Sequence, residues 1–327
     1  MIQLRVLSGQ TPGAGEFMIQ NYVFFVAGLG ALAFGAELLV RGSSRLALAL
    51  GVRPVVAGLT VVAFGTSMPE FFASFASALA GSEGIAIGNV VGSNVANVGI
   101  VAGLSALVRP LASDRATLRR EVPFMILVSF VFLWFISDGL VSRLEGGVLF
   151  AGIVVFTVLS VVSAMRGAAV KADAPARGGT RGGNAAMSAV GLAGLIAGAH
   201  FMVKGAVQIA AHFNVPEVII GLSVVAVGTS LPELAASMAA AAHGESGICL
   251  GNVIGSNIFN ILFVTGVVAL AAPLHVERAM ITQQTPAMIG FAAALALFMA
   301  TGRRITRREG LLFVLSYAGF MVWIYGA

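Results

Sequence analysis

One 17-residue segment occurs twice in this chain, and the two copies lie 163 positions apart. Residues 58–74 and 221–237 are identical at 12 of 17 positions, and both contain the sequence Gly-Thr-Ser-x-Pro-Glu. The same offset relates residues 88–97 to residues 251–260 without a gap. Self-similarity at a fixed separation indicates a repeat architecture. The chain is therefore predicted to fold as two related halves.

The composition places these repeated polar residues in a membrane protein. Of the 327 residues, 58% are hydrophobic and 10% are charged, which differs strongly from a soluble domain. About 20 apolar residues span a bilayer, and ten such segments can be counted. They cover residues 20–42, 54–80, 84–108, 121–139, 146–164, 187–211, 216–242, 246–270, 281–300 and 308–325. The predicted fold class is an all-α polytopic membrane protein with ten transmembrane helices.

The basic residues predict how this protein is oriented. Of the 19 Lys and Arg residues, 15 fall in the connections after predicted helices 1, 3, 5 and 9, which all lie on one side. Loops rich in Lys and Arg stay in the cytoplasm. Both termini are therefore predicted outside, in the inner (cell) membrane. Because the charge is explained as a topology signal, nucleic acid is not expected as a partner.

Five helices in each half would invert the second half relative to the first. Inverted repeats are typical of secondary transporters that bind their substrate near the membrane midplane between the repeats. The predicted domains are an N-terminal extension (1–17), a first repeat (18–165), a cytoplasmic linker (166–186) and a second repeat (187–327). The single cysteine, Cys249, excludes an internal disulfide.

A proline directly precedes the glutamate in each copy of the repeated segment. Pro69 has no N–H and presses against the carbonyl of Gly65, so the second predicted helix should kink or unwind there. The freed carbonyls cannot face lipid without a partner, and a cation beside Glu70 would satisfy them. The seventh predicted helix repeats this pattern with Gly228, Thr229, Pro232 and Glu233. A proline kink alone is commonly structural, but a buried glutamate on the same turn of both copies favours a functional site.

Amide and hydroxyl side chains follow on the third and eighth predicted helices. Positions 89, 93 and 97 lie broadly on one helix face. Their repeat mates are positions 252, 256 and 260. We interpret Ser93, Asn97, Ser256 and Asn260 as members of the site. For Asn89, Asn94, Asn252 and Asn257, hydrogen bonding between helices is an equally good interpretation.

The chemistry of these groups indicates a hard cation. Two glutamates with carbonyl, hydroxyl and amide oxygens would form an all-oxygen cage, and Ca²⁺ takes 6–8 such ligands. Mg²⁺ or Mn²⁺ would also suit oxygen ligands. Without a cation the cage would hold two carboxylates in a low dielectric, which is costly. The empty carrier should therefore cross slowly, which favours obligatory exchange against Na⁺ or H⁺.

The doubled motifs resemble the alpha-repeats of the cation/calcium exchanger superfamily, which includes sodium/calcium exchangers. The resemblance covers residues 55–110 and 218–273, and the ten-helix pattern extends it to most of the chain. It implies a secondary antiporter, not an enzyme, that exchanges Ca²⁺ for Na⁺ by alternating access. In this family mechanism the first and sixth helices slide across the core bundle. The implied partners are inorganic cations and membrane lipid, with no cofactor and no obligate protein partner.

The resemblance also implies roles for single residues. Glu70 and Glu233 would bind calcium with the carbonyl oxygens of Thr66 and Thr229. The flanking sodium sites would be formed by Ser67, Ser93, Ser230 and Ser256 with the carbonyl oxygens of Ala63 and Ala226. Exchangers of this superfamily often carry aspartate at the position of Asn260, whereas Asn97 and Asn260 are both amides here. Two carboxylates in place of three argue against potassium co-transport and leave the sodium stoichiometry open.

Three other functions compete with this interpretation. A proton-coupled divalent cation antiporter would keep the same fold and site. An intramembrane enzyme would use Ser93 or Ser256 as its nucleophile, but no histidine has a repeat-matched partner at that depth. A cation channel would not need two kinked helices that close on a carboxylate pair.

Near the end of the first predicted helix, Glu37 is expected to pair with Arg41.

Overall fold

The structure is a computed structural model that describes residues 14–168, 180–213 and 226–325. Almost all of this chain is helical. The helices are α1 (Ala14–Ala49), α2 (Pro54–Thr66), α3 (Met68–Leu79), α4 (Glu83–Val108), α5 (Thr117–Asp138), α6 (Arg143–Ala168), α7 (Arg181–His212), α8 (Ala226–Thr229), α9 (Leu231–Ala242), α10 (Ser246–Ala271), α11 (Met280–Ala300) and α12 (Arg307–Tyr325). The strands are β1 (Leu111–Ala112), β2 (Leu140–Val141), β3 (Leu274–His275) and β4 (Arg304–Ile305).

Seven of these helices are long and apolar enough to cross a membrane, and the bent pair of α2 and α3 would add an eighth. The seven are α1, α4, α5, α6, α7, α10 and α11. α9 is apolar but shorter, and the predicted segment 216–242 that contains it lies partly outside the described residues. α12 has 19 residues and is not among the seven. A helical, multi-pass membrane protein is confirmed, and the number of ten spans stays a prediction.

α1 and α7 form the most extensive helix–helix contact of the described residues. They run antiparallel, because Gly28 faces Met202 whereas Gly42 faces Ser188. A glycine at every seventh position lets the two backbones touch, as small residues do between membrane helices. The glycines are Gly28, Gly35 and Gly42 in α1 and Gly191, Gly198 and Gly205 in α7, and the two sets are 163 positions apart.

The core of the bundle is built around α4 and α10, the two most buried of the long helices. α2 runs parallel to α10 and covers one of its faces. Val55 lies against Gly247 near the start of both helices, and Ala63 lies against Gly255 about two turns later. Backbones can approach this closely only because the α10 face carries glycine.

The two halves make matching contacts elsewhere. α12 packs on α4 where Gly310 meets the Gly103 carbonyl, and α6 packs on α10 where Gly146 meets the Gly266 carbonyl. Gly103 and Gly266 are again 163 positions apart. The repeat seen in the sequence is therefore also a repeat of helix contacts.

Two short sheets lie at opposite ends of the bundle. β1 follows the C-terminus of α4 and pairs with β4, whereas β3 pairs with β2 and places His275 against Glu83, at the N-terminus of α4. The end with β1 and β4 contains Arg53, Arg115 and Arg304 and is called the basic end below. The other end is called the opposite end.

The predicted cytoplasmic linker, residues 166–186, lies partly outside the described residues. α6 extends to Ala168 and α7 begins at Arg181, so both helices enter the predicted linker. The predicted domain limits stay predictions.

Candidate cation site

The first element of the site is the break between α2 and α3. The chain bends by 43° there, at Ser67 with φ −82° and ψ 5°. Pro69 lies in the first turn of α3 and has no N–H, so the carbonyl of Gly65 loses its helical donor. Ser230, between α8 and α9, has nearly the same backbone angles, φ −88° and ψ 7°. The predicted kink is confirmed in the first half and has the same local geometry in the second.

Each break places a glutamate in the first turn of the next helix, Glu70 in α3 and Glu233 in α9. Both side chains are buried. Ser230 Oγ donates to Glu70 Oε1 and Ser67 Oγ donates to Glu233 Oε1, both at 3.0 Å. Because the serine of one half holds the glutamate of the other, the two carboxylates come together at the centre of the bundle.

Two asparagines fix the helix turns that carry the glutamates. Asn89 Nδ2 donates to the carbonyl of Glu70 at 3.0 Å, and Asn252 Nδ2 donates to the carbonyl of Glu233 at 3.3 Å. The same nitrogens donate to Ser74 Oγ and Ser237 Oγ at 2.9 Å. For Asn89 and Asn252 the structure thus favours interhelical hydrogen bonding, with the effect of orienting the carboxylates.

Four asparagines of α4 and α10 are joined by hydrogen bonds, which close a ring between Asn94 and Asn257, and the four residues are called the asparagine ring below. Asn94 and Asn257 donate to each other's backbone carbonyl at 3.3 Å. Asn97 donates to Asn257 Oδ1, and Asn260 donates to Asn94 Oδ1, both at 3.1 Å. An ionised aspartate at position 97 or 260 could not donate these bonds. These bonds give a physical reason for amides at positions 97 and 260. The Nδ2 atoms of Asn97 and Asn260 are used in the ring, whereas their Oδ1 atoms have no partner in it.

Both ring helices widen where these amides lie. A π-helical turn begins at Asn97 and extends to Ala102, and another begins at Asn260 and extends to Thr265. Such turns inside α-helices are rare and frequently occur at functional sites. The sequence did not predict them, because the apolar residues around them fit an uninterrupted helix equally well.

Five buried side-chain oxygens of this site have no hydrogen-bond partner among the described residues. They are Glu70 Oε2, Glu233 Oε2, Asn97 Oδ1, Asn260 Oδ1 and Ser256 Oγ. Leaving buried acceptors unpaired is costly, above all for carboxylates, and a hard cation would satisfy several oxygens at once. No group of three or more His, Cys, Asp or Glu side chains that could hold a metal occurs in the described residues. The set consists of two carboxylates and neutral oxygens, and its role as a cation site stays a prediction.

The other predicted ligands of the first half surround this set. Ser93 is buried. The hydroxyl of Thr66 donates to Asn252 Oδ1 at 3.1 Å, and its carbonyl is the predicted ligand. The carbonyl of Ala63 accepts the N–H of Ser67 at 3.1 Å and retains a second lone pair for a cation.

Two predicted carbonyl ligands of the second half lie at the edge of the described residues. Ala226 begins α8 and Thr229 ends it, directly before the break at Ser230. The side chain of Ala226 lies outside the described residues. The roles of both carbonyls stay predictions.

A cavity of ≈ 820 Å³ connects the opposite end of the bundle with the site. Its walls come mainly from α4 and α12, and it reaches Ser93, Thr229 and Ser230. His275 and Glu277 line its part near the opposite end. A small cation entering there would meet hydroxyl oxygens of the predicted sodium ligands first.

Comparison with known proteins agrees with this geometry. The family "Sodium/calcium exchanger protein" matches residues 20–162 and 183–326. The chain is 36% identical to the putative antiporter CaxA of Alkalimonas amylolytica, covering 95% of this chain and 100% of that protein. It is 33% identical to the sodium/calcium exchanger MaX1 of Methanosarcina acetivorans, covering 93% and 98%.

Solved structures give the same result. The sodium/calcium exchanger from Methanococcus jannaschii superposes with a TM-score of 0.81 at 32% identity, covering 92% of this chain and 97% of that one. Fold, doubled motifs and family match thus agree over nearly the whole length. The chain belongs to the sodium/calcium exchanger protein family.

Proposed function

We propose that this protein is a secondary antiporter that exchanges Ca²⁺ for Na⁺ by alternating access at the Glu70–Glu233 site. One observation carries the proposal: five buried side-chain oxygens of the site have no hydrogen-bond partner among the described residues, and a cavity from one end reaches Ser93 and Ser230 of the same site. The exchanger names of MaX1 and of the Methanococcus jannaschii protein support the choice of ions.

Charge balance favours a divalent ion in the central position. Two carboxylates neutralise one Ca²⁺, and the amide, hydroxyl and carbonyl oxygens complete a flexible shell of 6–8 ligands. In this proposal Glu70, Glu233 and the carbonyls of Thr66 and Thr229 hold Ca²⁺. Asn97 and Asn260 contribute their Oδ1 atoms from the asparagine ring.

Sodium would occupy the flanks of the same cage. The proposed ligands are the hydroxyls of Ser67, Ser93, Ser230 and Ser256 with the carbonyls of Ala63 and Ala226. Several Na⁺ ions sharing the two carboxylates would replace the charge of one Ca²⁺. Because both loads use the same glutamates, they exclude each other, and this competition couples the two fluxes.

The membrane arrangement belongs to the same proposal. Ten helices form two inverted five-helix repeats in the inner membrane, with both termini and the opposite end outside and the basic end in the cytoplasm. Matching contacts at an offset of 163 and the antiparallel packing of α1 on α7 support the inversion. The cavity then opens to the outside.

Alternating access requires part of the bundle to move past the site. α1 and α7 are bound to each other far more extensively than to the core, which suits a pair that slides as one body. The site would then open alternately at the two ends.

The test is Ca²⁺ flux into proteoliposomes that contain the purified protein. An imposed Na⁺ gradient should drive Ca²⁺ uptake, and a pH gradient without Na⁺ should not. Uptake that follows only the pH gradient would assign the protein to proton coupling, and uptake without any counter-ion would indicate a channel.

The site itself is tested by Glu70→Gln and Glu233→Gln. Each should reduce Na⁺-driven Ca²⁺ flux at least about 100-fold, because half of the charge that balances Ca²⁺ is lost. Glu145→Gln, which changes a carboxylate at the N-terminus of α6, is the matched control and should retain flux. Retained flux in either site variant would contradict the assignment.

A further inference from the structure

A three-residue ion cluster closes the basic end. Arg53 lies directly before α2, and its Nη1 is 3.0 Å from Asp114 Oδ2 while its Nη2 is 2.8 Å from Glu121 Oε1. Asp114 precedes α5 and Glu121 lies in its first turns. A planar guanidinium suits two carboxylates at once. Glu121 is buried, and its Oε2 has no partner among the described residues.

The same end is sealed by the first half of α2. A Cβ atom on Gly58 would lie only 2.6 Å from the Ile248 carbonyl oxygen of α10, so the two backbones are in contact. Opening a path to the site from the basic end requires α2 to leave this face. Because Arg53 immediately precedes Pro54, the first residue of α2, that movement also takes Arg53 away from its two carboxylates.

The repeat-related residues of the second half indicate which passage the ion cluster covers. The positions 163 residues after Asp114 and Glu121 are Glu277 and Gln284. Both line the open cavity at the opposite end. When the two halves exchange roles, Asp114 and Glu121 therefore come to line the equivalent passage at the basic end. With Arg53 in place, its guanidinium bridges the two carboxylates and balances one of their two negative charges, and that passage is shut.

Arg53 breaks the symmetry of the two halves. The residue 163 positions later is Pro216, which lies outside the described residues but carries no charge in any conformation. A guanidinium thus fastens the basic end, and the repeat-related position carries no charge that could do the same in the other half. Between two states of similar free energy, one additional contact in one of them shifts the populations.

We propose that Arg53 is a latch that holds the basic end shut and makes the state open at the opposite end the resting state. The proposal rests on the alternating access proposed above. Arg53 touches no transported ion and acts through the position of α2. It is therefore a positioning residue.

The charges of Arg53 and Asp114 persist at neutral pH. Burial raises the pKa of Asp114, but hydrogen bonds from Thr117 and the charge of Arg53 outweigh burial and hold this pKa below its ordinary value. Burial likewise lowers the pKa of Arg53, and the carboxylates of Glu121 and Asp114 more than compensate. Asp114 therefore contributes its full stabilisation at pH values above the ordinary Asp pKa of about 4. This contribution is lost only as the pH falls through the lowered pKa. The latch is thus a charge contact and no pH sensor near neutrality.

The test uses two reporter positions that the repeat relates. Ala73 lines the open cavity, whereas Ala236, 163 positions later, is fully buried. Ala73→Cys and Ala236→Cys are made separately in a Cys249→Ala background, which is mild because the repeat mate of Cys249 is Ala86. Maleimide labelling rates are measured in lipid nanodiscs, where both ends face solvent and membrane orientation does not matter.

Arg53→Gln should change the ratio of the two rates about 5- to 10-fold in favour of Ala236→Cys, as expected for loss of one partly buried ion cluster. Asp114→Asn and Glu121→Gln should shift the ratio in the same direction. Asparagine retains the acceptor that caps α5, so Asp114→Asn removes the charge without removing the cap. Arg115→Gln, an exposed arginine at the same end, should leave the ratio unchanged.

Two results would overturn the latch. One is an unchanged ratio in Arg53→Gln, and the other is an equal rise of both rates, which indicates a loosened fold. Labelling needs no ion transport, so failure of Na⁺-driven Ca²⁺ flux in the parent protein would refute the proposed function and leave the labelling result standing.

Discussion

The glycine faces of α4 and α10 have the same sequence origin and different surroundings. Gly247, Gly251 and Gly255 of α10 are covered by the backbone of α2. Their repeat mates on α4 are Gly84, Gly88 and Gly92. A Cβ atom added to Gly84 or Gly88 would have the end of a side chain as its nearest described neighbour, at 3.7 Å and 3.8 Å respectively. A Cβ atom added to Gly92 would have no described atom within 4 Å. One face is closed and the other lines a cavity.

Two copies of one repeated sequence can therefore lie in two different packing environments within the same structure. In the proposed alternating-access cycle the two faces exchange roles, which requires that each face accept a helix backbone and would explain glycine at both. The states are then similar in free energy except where the halves differ in sequence. Arg53 and Pro216 are such a difference in sequence, and Arg53 lies at the basic end.

The largest difference in stability between the two faces is expected when a methyl group is added to each of them. Gly251→Ala places a Cβ atom against the carbonyl of Val55 and should destabilise the protein by about 3 kcal/mol, because backbone cannot move aside. Gly88→Ala should leave stability unchanged within about 0.5 kcal/mol, because its Cβ has room. Thermal unfolding in detergent measures both. Equal losses would show that the two faces are equally covered in solution.

The asparagine ring is the region in which the halves should remain equivalent. Asn97→Asp and Asn260→Asp each remove one N–H donor and place a carboxylate against an amide oxygen. We expect each to cost about 2 kcal/mol near neutral pH. The loss should shrink on acidification, since a protonated aspartate can donate as the amide does. Unfolding temperatures from pH 5 to pH 8 test this, and clearly unequal losses would contradict an equivalent ring.

The smallest effect on the labelling ratio is expected for an ion pair at the basic end that has no repeat-related counterpart. Glu37 pairs with Arg41, as predicted, and its Oε1 also lies 3.1 Å from His243 Nε2, which joins α1 to the end of α9. The mates 163 positions from Glu37 and His243 are His200 and Ala80, which cannot form this ion pair.

Glu37→Gln should therefore favour opening of the basic end only about twofold, because the contact is partly exposed. The reporter cysteines at positions 73 and 236 give the measurement. His200→Gln is the control with no expected shift. A tenfold shift for Glu37→Gln would mean that this pair, and not Arg53, is the main fastening.

The sequence predicted the parts of the site that depend on local chemistry. Pro69 has no N–H and interrupts its helix whatever surrounds it, and a buried carboxylate such as that of Glu70 is costly without a compensating partner. The duplicated motifs also predicted that Glu233 would join the same site. These inferences required no knowledge of packing.

The sequence could not predict what depends on tertiary packing. Identical motifs predict identical surroundings, so the covered face of α10 and the open face of α4 could not be told apart. The ring of asparagines needed the approach of Asn94 to Asn257, and the latch needed the approach of Arg53 to Glu121. The heptad glycines of α1 and α7 were visible in the sequence, and their spacing could have indicated the helix pair.

The central claim is that one glutamate from each half forms a single Ca²⁺ site that Na⁺ competes for. Equilibrium ⁴⁵Ca²⁺ binding to the purified protein measures this directly. We expect one Ca²⁺ per chain, displaced by Na⁺, and loss of binding in both Glu70→Gln and Glu233→Gln. Two Ca²⁺ per chain, or binding that survives in either single variant, would contradict a site shared between the halves.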